Sequence, residues 1–261
     1  MKVAVITGGS SGIGLCTARA LAEKGVKVYE LSRRPFHDAA LTHLCCDITN
    51  ETMVADAIRT VLAAEGRIDI LINNAGFGIS GAVEFTDTQE AKRLFDVDFF
   101  GMVRVNRAVI PVMREQGCGT IVNLSSVAAS VPIPFQAYYS AAKAAISAYT
   151  LALGNELRRF SIRVCAVLPG DIRTGFTAAR QKSAEGDEVY GGSIQHSVAK
   201  MEHDEQNGMP PEAAGRKIAR IALKKRGKPL YTIGFAYQCV ILLTKLLPTR
   251  LWNAIVRKIY A

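Results

Sequence analysis

The chain carries VAVITGGSSGIG at residues 3–14, close to its amino terminus. The apolar run at residues 3–7 predicts a buried strand, and the glycines after it predict a sharp turn. A helix beginning near Gly14 would point its free N–H groups at an anion held in that turn. Strand, glycine turn and helix in this order are typical of a dinucleotide-binding unit, because glycines let the backbone approach a pyrophosphate. A tight glycine turn without a ligand is the alternative.

The same alternation of strand and helix continues to about residue 170. Further continuous apolar runs predict strands at residues 26–31, 41–46, 68–73, 119–125 and 162–168. Helical patterns lie between them at residues 14–24, 52–65, 88–114 and 138–160. Continuous rather than alternating apolar runs are expected for parallel strands that are covered on both faces. We therefore predict the α/β class, with a Rossmann-like, doubly wound parallel sheet.

The pattern changes after Pro169. Residues 171–211 are polar and interrupted by glycines, which predicts a lid or a disordered loop, here called the substrate flap. A helix at residues 212–225 and a strand at residues 229–233 follow, and then two apolar-faced helices within residues 235–261. We expect one domain over residues 1–261, in which the flap and the C-terminal helices are additions to the sheet.

Composition and charge exclude several classes. The chain is 49% apolar and 21% charged, as in an ordinary packed globule and unlike a disordered chain or a coiled coil. Its six cysteines have neither CxxC nor zinc spacing, so we predict no metal site. The net charge of +9 is concentrated in residues 212–261, which contain 11 Lys and Arg and one acid. Because a basic tail on a neutral body is a local feature, we expect no nucleic-acid partner.

Two features bear on location. The apolar run at the start is shorter than the core of a signal peptide, and the run at residues 235–247 contains Lys245 and falls short of the roughly 20 residues of a membrane span. We therefore expect a cytoplasmic protein. The stretch at residues 231–261 mixes apolar and basic residues, which suits helices packed on the core or on a second subunit, or a helix lying on anionic lipid. We favour packing over this peripheral membrane contact.

A second group of residues points to proton transfer. Tyr139 and Lys143 are four residues apart in a predicted helix, so both project from one face. A neighbouring ammonium favours the phenolate of a tyrosine, which could then exchange a proton with a carbonyl/alcohol pair. Ser126 follows a strand and could hydrogen-bond the same substrate oxygen. Taken alone, Tyr139 and Lys143 could equally be a solvated pair on a helix surface.

Five motifs in this order resemble the short-chain dehydrogenase/reductase family, in its single-domain branch. They are TGGSSGIG at residues 7–14, NNAG at residues 73–76, Ser126 thirteen residues before Tyr139, YSAAK at residues 139–143 and PGDIRT at residues 169–174. The resemblance covers residues 3–174 and is far more specific for fold and cofactor than for substrate. It also implies a homodimer or homotetramer, formed through the helices at residues 88–114 and 138–160.

The resemblance implies a role for each matching residue. Ser126 would orient a carbonyl, Tyr139 would give it a proton as hydride arrives from the nicotinamide, and Lys143 would lower the Tyr139 pKa and bind the ribose. The residues assigned to the cofactor are Gly8, Ser10, Ser11, Gly12, Ile13, Gly14, Arg33, Asp47, Asn74, Ala75, Gly76, Tyr139, Lys143, Pro169, Gly170, Ile172 and Thr174.

The choice of cofactor follows from the end of the second predicted strand. NAD-preferring members of the family carry an acid where this chain has Ser32, and Arg33 comes next. Since a guanidinium suits a phosphate through its charge and paired donors, we predict NADP(H). A solvated pair, Arg33 and Arg34, is the alternative. Asp47 resembles the acid that contacts the adenine in the family, although it could instead cap the next helix.

One position departs from the family pattern. The family usually has an asparagine where the run at residues 95–101 places Asp98. An ionised aspartate only accepts hydrogen bonds, and it would add a negative charge near Lys143 or be forced to protonate. A working variant, an altered pH profile and a weakened enzyme are all open. We favour the first two and count Asp98 among the candidate catalytic residues.

The predicted walls of the substrate site are mostly apolar. They combine flap residues such as Phe176 with residues near the second motif, including Phe77, Ile79, Val127 and Val131. Such walls suit a hydrophobic carbonyl or alcohol, for example a steroid, a retinoid or a lipid-derived ketone. The sequence thus predicts an NADP(H)-dependent reductase or dehydrogenase. The alternative is a non-catalytic, NADP-binding regulatory protein of the same fold.

Overall fold

A seven-stranded parallel sheet forms the centre of the computed structural model, which describes residues 1–260. Its strands are β1 (Val3–Thr7), β2 (Lys27–Ser32), β3 (Thr42–Cys45), β4 (Ile70–Asn73), β6 (Gly119–Leu124), β7 (Ile162–Pro169) and β9 (Leu230–Ile233), and a separate parallel pair joins β5 (Ile79–Ser80) to β8 (Gln181–Lys182). The spatial order is β3-β2-β1-β4-β6-β7-β9. The chain therefore winds outward in both directions from β1 and β4, which confirms the predicted doubly wound sheet.

Helices cover both faces of this sheet. They are α1 (Gly12–Ala22), α2 (Glu51–Glu65), α3 (Thr88–Phe95), α4 (Met102–Gln116), α5 (Ala137–Leu157), α6 (Phe176–Ala179), α7 (Ser193–Gln206), α8 (Pro211–Leu223), α9 (Phe235–Leu246) and α10 (Thr249–Tyr260). Val3 and Val5 of β1 pack toward α2, α4 and α5, while Ala4 and Ile6 pack toward α1 and α8. Because successive side chains of a strand enter opposite apolar layers, the strands read as continuous apolar runs.

The substrate flap is more ordered than its sequence suggests, and the expectation of a disordered loop is wrong. It contains α6, the strand β8 and the helix α7. The buried positions of α7 are Ile194, Ser197 and Met201. With a serine in its buried face, α7 has too weak an apolar stripe for its helical period to be recognised.

The helix predicted at residues 88–114 is also corrected. It is divided into α3 and α4 by a π-helical turn, Asp96–Gly101. Such turns insert extra backbone into a helix and occur frequently at functional sites. Here the turn contains Asp98, whose side chain is buried.

A chain of buried amides joins the sheet to the helices behind the site. Asn73 Nδ2 donates to Asn106 Oδ1 and to Asn123 Oδ1, at 2.8 Å each. Asn123 Nδ2 then donates to Thr150 Oγ1 at 2.9 Å. Because buried polar groups are costly unless they are hydrogen-bonded, these contacts fix the ends of β4 and β6 relative to α4 and α5.

We expect Gly215→Ala to destabilise the fold. A Cβ at Gly215 in α8 would lie 2.5 Å from the carbonyl carbon of Cys16 and 2.7 Å from the nitrogen of Thr17, both in α1. Forcing the two helices apart should lower the free energy of unfolding by about 1–3 kcal/mol, measured by urea denaturation.

Gly154→Ala is the matched control, since this glycine also lies inside a helix. The nearest atoms to a Cβ there belong to Val164, at 3.7 and 3.8 Å, which is ordinary contact. Alanine should be neutral or stabilising by up to about 1 kcal/mol through helix propensity. Equal destabilisation by both substitutions would contradict the inferred close approach of α1 and α8.

Candidate active site

The glycine turn after β1 has the compact form that its sequence predicts. Gly8 and Gly12 have φ angles of +63° and +53°, which favour glycine. A Cβ at Gly14 would lie 2.2 Å from the carbonyl oxygen of Gly8, so the turn closes directly onto the start of α1. Asn74 Nδ2 holds this conformation by donating to the carbonyl oxygens of Thr7, at 3.1 Å, and Gly8, at 2.9 Å.

The start of α1 fits the pyrophosphate of a dinucleotide. Ser11 precedes the helix, its side chain makes no capping hydrogen bond, and the first turn holds no acidic residue. The N–H groups of Gly12 and Ile13 lack intrahelical acceptors at this position and add to the positive end of the helix dipole. Thr174, at the start of the flap, lies 3.5 Å from the Cβ position of Gly12. Ser10 lies half-buried within the turn.

Ala75 belongs to the same turn. Its backbone N–H donates to Thr7 Oγ1 at 3.1 Å, and its Cα lies 2.9 Å from the Cβ position of Gly8. The NNAG motif therefore meets the glycine turn at the carboxyl ends of β1 and β4.

At the end of β2, Arg33 is exposed and makes no side-chain ion pair within residues 1–260. Asp47 Oδ1 accepts hydrogen bonds from Thr49 N at 2.9 Å and Thr49 Oγ1 at 2.8 Å. Burial alone would raise the pKa of Asp47, but these bonds and the charge of Arg33 bring it below its ordinary value. Asn50, not Asp47, caps α2 by accepting from Met53 N, which excludes the capping alternative for Asp47.

A buried acid under the glycine turn escaped the sequence interpretation. Glu30 is fully buried, and a Cβ at Gly9 would lie 2.6 Å from its Cγ. Its Oε2 lies 2.6 Å from His43 Nδ1 and accepts a hydrogen bond from Ser32 Oγ at 3.2 Å. An acid inside a strand does not reveal its partner on the next strand, so only the register of β2 against β3 could identify this pair.

Ser126, Tyr139 and Lys143 converge where β6 meets α5. The side chain of Ser126 lies close enough to the Tyr139 phenol to lower its pKa, and its Oγ accepts a hydrogen bond from the backbone N–H of Ala128 at 3.1 Å. Lys143 Nζ lies 5.3 Å from the centre of the Tyr139 ring and donates to the carbonyl oxygen of Leu124 at 3.4 Å. The solvated alternative is excluded, because Tyr139 and Lys143 are 9% and 5% exposed.

Asp98 completes this group. Its Oδ2 lies 2.9 Å from Lys143 Nζ, and its Oδ1 accepts a hydrogen bond from the backbone N–H of Phe77 at 2.9 Å. Gly76 passes so close that a Cβ there would lie 2.8 Å from Asp98 Oδ2. Two neighbouring residues of the NNAG motif therefore have different contacts: Gly76 packs against the Asp98 carboxylate, and Ala75 packs against the glycine turn.

The charges of Asp98, Tyr139 and Lys143 shift one another's pKa values. Burial lowers the pKa of Lys143, but Asp98 and Tyr139 raise it more, so the ammonium is held charged. Burial raises the pKa of Tyr139, Lys143 lowers it and Asp98 raises it, with a net rise. Lys143 thus lowers the pKa of Tyr139, as the sequence predicts, while burial and Asp98 act in the opposite direction and outweigh it.

The flap covers this group from one side. The ring of Phe176 in α6 lies 5.8 Å from the Tyr139 ring, centre to centre. Arg180 is buried and ion-paired with Glu205 of α7, whose Oε2 accepts a hydrogen bond from Thr177 Oγ1 at 2.6 Å. The sequence interpretation missed Arg180, because the sequence does not distinguish a buried, ion-paired arginine of the flap from a solvent-exposed one. This ion pair ties α6 to α7 and keeps Phe176 over the phenol.

The PGDIRT motif leaves the carboxyl end of β7. Pro169 is paired in register with Ile233, whereas Gly170 packs against the ring of Tyr237 in α9. Ile172 is buried and lines a cavity of about 450 Å³ between the flap and α9. Through Gly170 and Ile172 the motif therefore contacts the C-terminal helices as well as the end of the sheet. This cavity is separate from the candidate catalytic group, because none of Ser126, Tyr139 and Lys143 lines it.

Comparisons with known proteins show the family and the fold. The family model described as short chain dehydrogenase matches residues 2–185. A 3-ketodihydrosphingosine reductase from Bacteroides thetaiotaomicron is 40% identical over 227 residues, covering 86% of this chain and 84% of that protein. The probable short-chain type dehydrogenase/reductase VdlC from Helicobacter pylori is 33% identical over 261 residues, covering 98% and 96%. The crystal structure of a short-chain dehydrogenase from Streptomyces avermitilis matches with a TM-score of 0.85 and 29% identity, covering 98% and 97%.

We expect Asp98→Asn to lower the pKa of Lys143, because the substitution removes the carboxylate that raises it. The measurement is an NMR titration that follows the ¹³Cε shift of Lys143. Asp96→Asn is the control: Asp96 lies in the same π-helical turn but pairs with Arg104. An unchanged Lys143 pKa in Asp98→Asn would show that the buried pair does not set the charge of this lysine.

Proposed function

This chain belongs to the short-chain dehydrogenase/reductase family and is an oxidoreductase, and from that premise we propose that it uses NADPH to reduce a hydrophobic ketone to an alcohol. The observation that carries the proposal is the convergence of Ser126, Tyr139 and Lys143 beneath an ordered flap. The relative named 3-ketodihydrosphingosine reductase favours a lipid-derived ketone among the hydrophobic classes.

In the proposed reaction a bound nicotinamide supplies the hydride. Ser126 donates a hydrogen bond to the substrate carbonyl oxygen, and Tyr139 donates a proton to the same oxygen. Lys143 stabilises the phenolate that remains, since its charge is held by Asp98.

The surroundings of Tyr139 support an apolar substrate. Phe176, Ile79, Ala128 and Phe77 pack with it in one apolar cluster. Such walls exclude water and gain free energy by covering a hydrophobic ligand. With α6 over the phenol, substrate entry requires the flap to move, so Arg180 and its carboxylate partner are positioned to hold the closed form.

Three observations support NADP(H) over NAD(H). Ser32 stands where an acid would repel a 2′-phosphate, and the exposed Arg33 guanidinium is free of ion pairs within residues 1–260. The nearby acid, Glu30, is buried and bonded to His43 rather than directed at solvent. A guanidinium in this place would bind a phosphate through paired, charge-assisted hydrogen bonds.

Tyr139→Phe tests the proposed reaction. Removing the proton donor should lower the rate of NADPH-dependent ketone reduction by about 10²–10⁴-fold, while NADPH binding followed by fluorescence stays unchanged. Tyr138→Phe, the neighbouring tyrosine in the same apolar cluster, is the control and should retain activity. If the unmodified protein binds NADPH but reduces no member of a panel of steroid, aromatic, fatty and sugar carbonyls, the regulatory alternative replaces this proposal.

Arg33→Asp tests the choice of cofactor. Loss of a charge-assisted phosphate contact should raise the KM for NADPH by about 10- to 100-fold and leave that for NADH nearly unchanged. Arg114→Asp makes the same charge change at an exposed arginine of α4 and should alter neither value. Equal effects of Arg33→Asp on both cofactors would count against NADP(H).

A further inference from the structure

The outward face of α9 is apolar. Its inward face, with Tyr237, Val240 and Ile241, packs in a cluster with Val127 and Val131. None of the residues of α9 is buried. A helix with an apolar face on both sides needs a second partner beyond the core.

Exposed apolar side chains are concentrated on these last two helices. Six of the twelve large hydrophobic side chains that are exposed within residues 1–260 lie in α9 and α10. Phe235, Leu242 and Leu246 are 82%, 58% and 69% exposed, and they follow one stripe of α9. Leu251 of α10, 49% exposed, lies just beyond the turn that joins the two helices. We call the exposed residues Phe235, Leu242, Leu243, Leu246 and Leu251 the apolar face.

The charged residues of the chain segment that carries the apolar face all have one sign. Residues 213–261 contain 11 Lys and Arg and no acidic residue. Lys245 lies between residues of the apolar face on α9, and Arg250 directly precedes Leu251; both are exposed. A cationic rim around an apolar stripe complements an anionic lipid surface.

A second copy of this chain is a poorer occupant. A twofold interface places the same patch on both sides, so the cations beside Leu246 in one copy would face those of the other. Like charges across an interface oppose association, whereas anionic headgroups neutralise them.

We propose that the apolar face docks on the surface of an anionic lipid bilayer. Its phenylalanine and leucine side chains would enter the boundary between headgroups and acyl chains, while Lys245 and Arg250 contact the headgroups. The helices lie along the surface: within residues 1–260, none has both the length and the apolar content that crossing a bilayer requires.

Docking in this way brings the bilayer close to the substrate site. The same two helices pack against Val131 and against Val127, which directly follows Ser126. Phe235 and Tyr237 also line the cavity of about 450 Å³ beside the flap. A ketone dissolved in lipid would thus meet the site at the membrane surface; this last step alone rests on the proposed function.

The test is flotation of the full-length protein with lipid vesicles. The protein should float with vesicles of phosphatidylcholine and phosphatidylserine, and far less with phosphatidylcholine alone or in high salt. Leu246→Glu should reduce flotation by about tenfold or more, because it places a charge in the apolar face. Val83→Glu makes the same kind of change at a 53% exposed residue outside the apolar face and should float like the unmodified protein.

Further measurements separate the possible failures. Equal melting temperatures would show that both variants fold, and Tyr139→Phe should float normally, since docking needs no turnover. Absence of flotation, or flotation that is independent of phosphatidylserine and unaffected by Leu246→Glu, would overturn the proposal. A loss of oligomer in Leu246→Glu without any change in flotation would instead assign the apolar face to a second copy.

Discussion

The site depends on one buried ammonium. Lys143 is almost fully enclosed, and a lone charge in that environment would shift its pKa until it became neutral. The carboxylate of Asp98, 2.9 Å away, keeps it charged. The same carboxylate raises the pKa of Tyr139, so the positive charge beside the phenol is partly neutralised. A buried charge that loses its ion-pair partner destabilises the folded state. The surrounding structure must therefore hold both Lys143 and Asp98 in place.

Several elements share that task. The π-helical turn Asp96–Gly101 carries Asp98 inward, and the backbone N–H of Phe77 fixes one of its oxygens. The hydrogen-bonded amides that begin at Asn73 join the ends of β4 and β6 to α4 and α5. Because Lys143 lies on α5, its position is coupled to that of the sheet. Rigid support of this kind is what a proton-transfer site requires, because small displacements weaken a positioned hydrogen bond.

In the proposed function, the outer elements serve access rather than chemistry. The flap places Phe176 over Tyr139 and is tied to α7 by a buried ion pair. The C-terminal helices pack behind Val127 and Val131 and expose their other side. The candidate catalytic group, the flap and the proposed lipid-facing surface thus lie toward the carboxyl ends of the strands, where open α/β sheets bind their ligands.

The sequence by itself determined the sheet and the glycine turn, because these depend on local spacing: apolar runs, and glycines between a strand and a helix. It pointed to Ser126, Tyr139 and Lys143 only through their combination with the other motifs and the family resemblance, since a four-residue step on a helix is also typical of a solvated pair. The tertiary structure decided the rest. The net pKa of Tyr139, the pairing of Glu30 with His43, the burial of Arg180 and the exposure of α9 all depend on segments distant in the chain. Burial and charge act through space, so no local pattern could reveal which way those groups would shift or face.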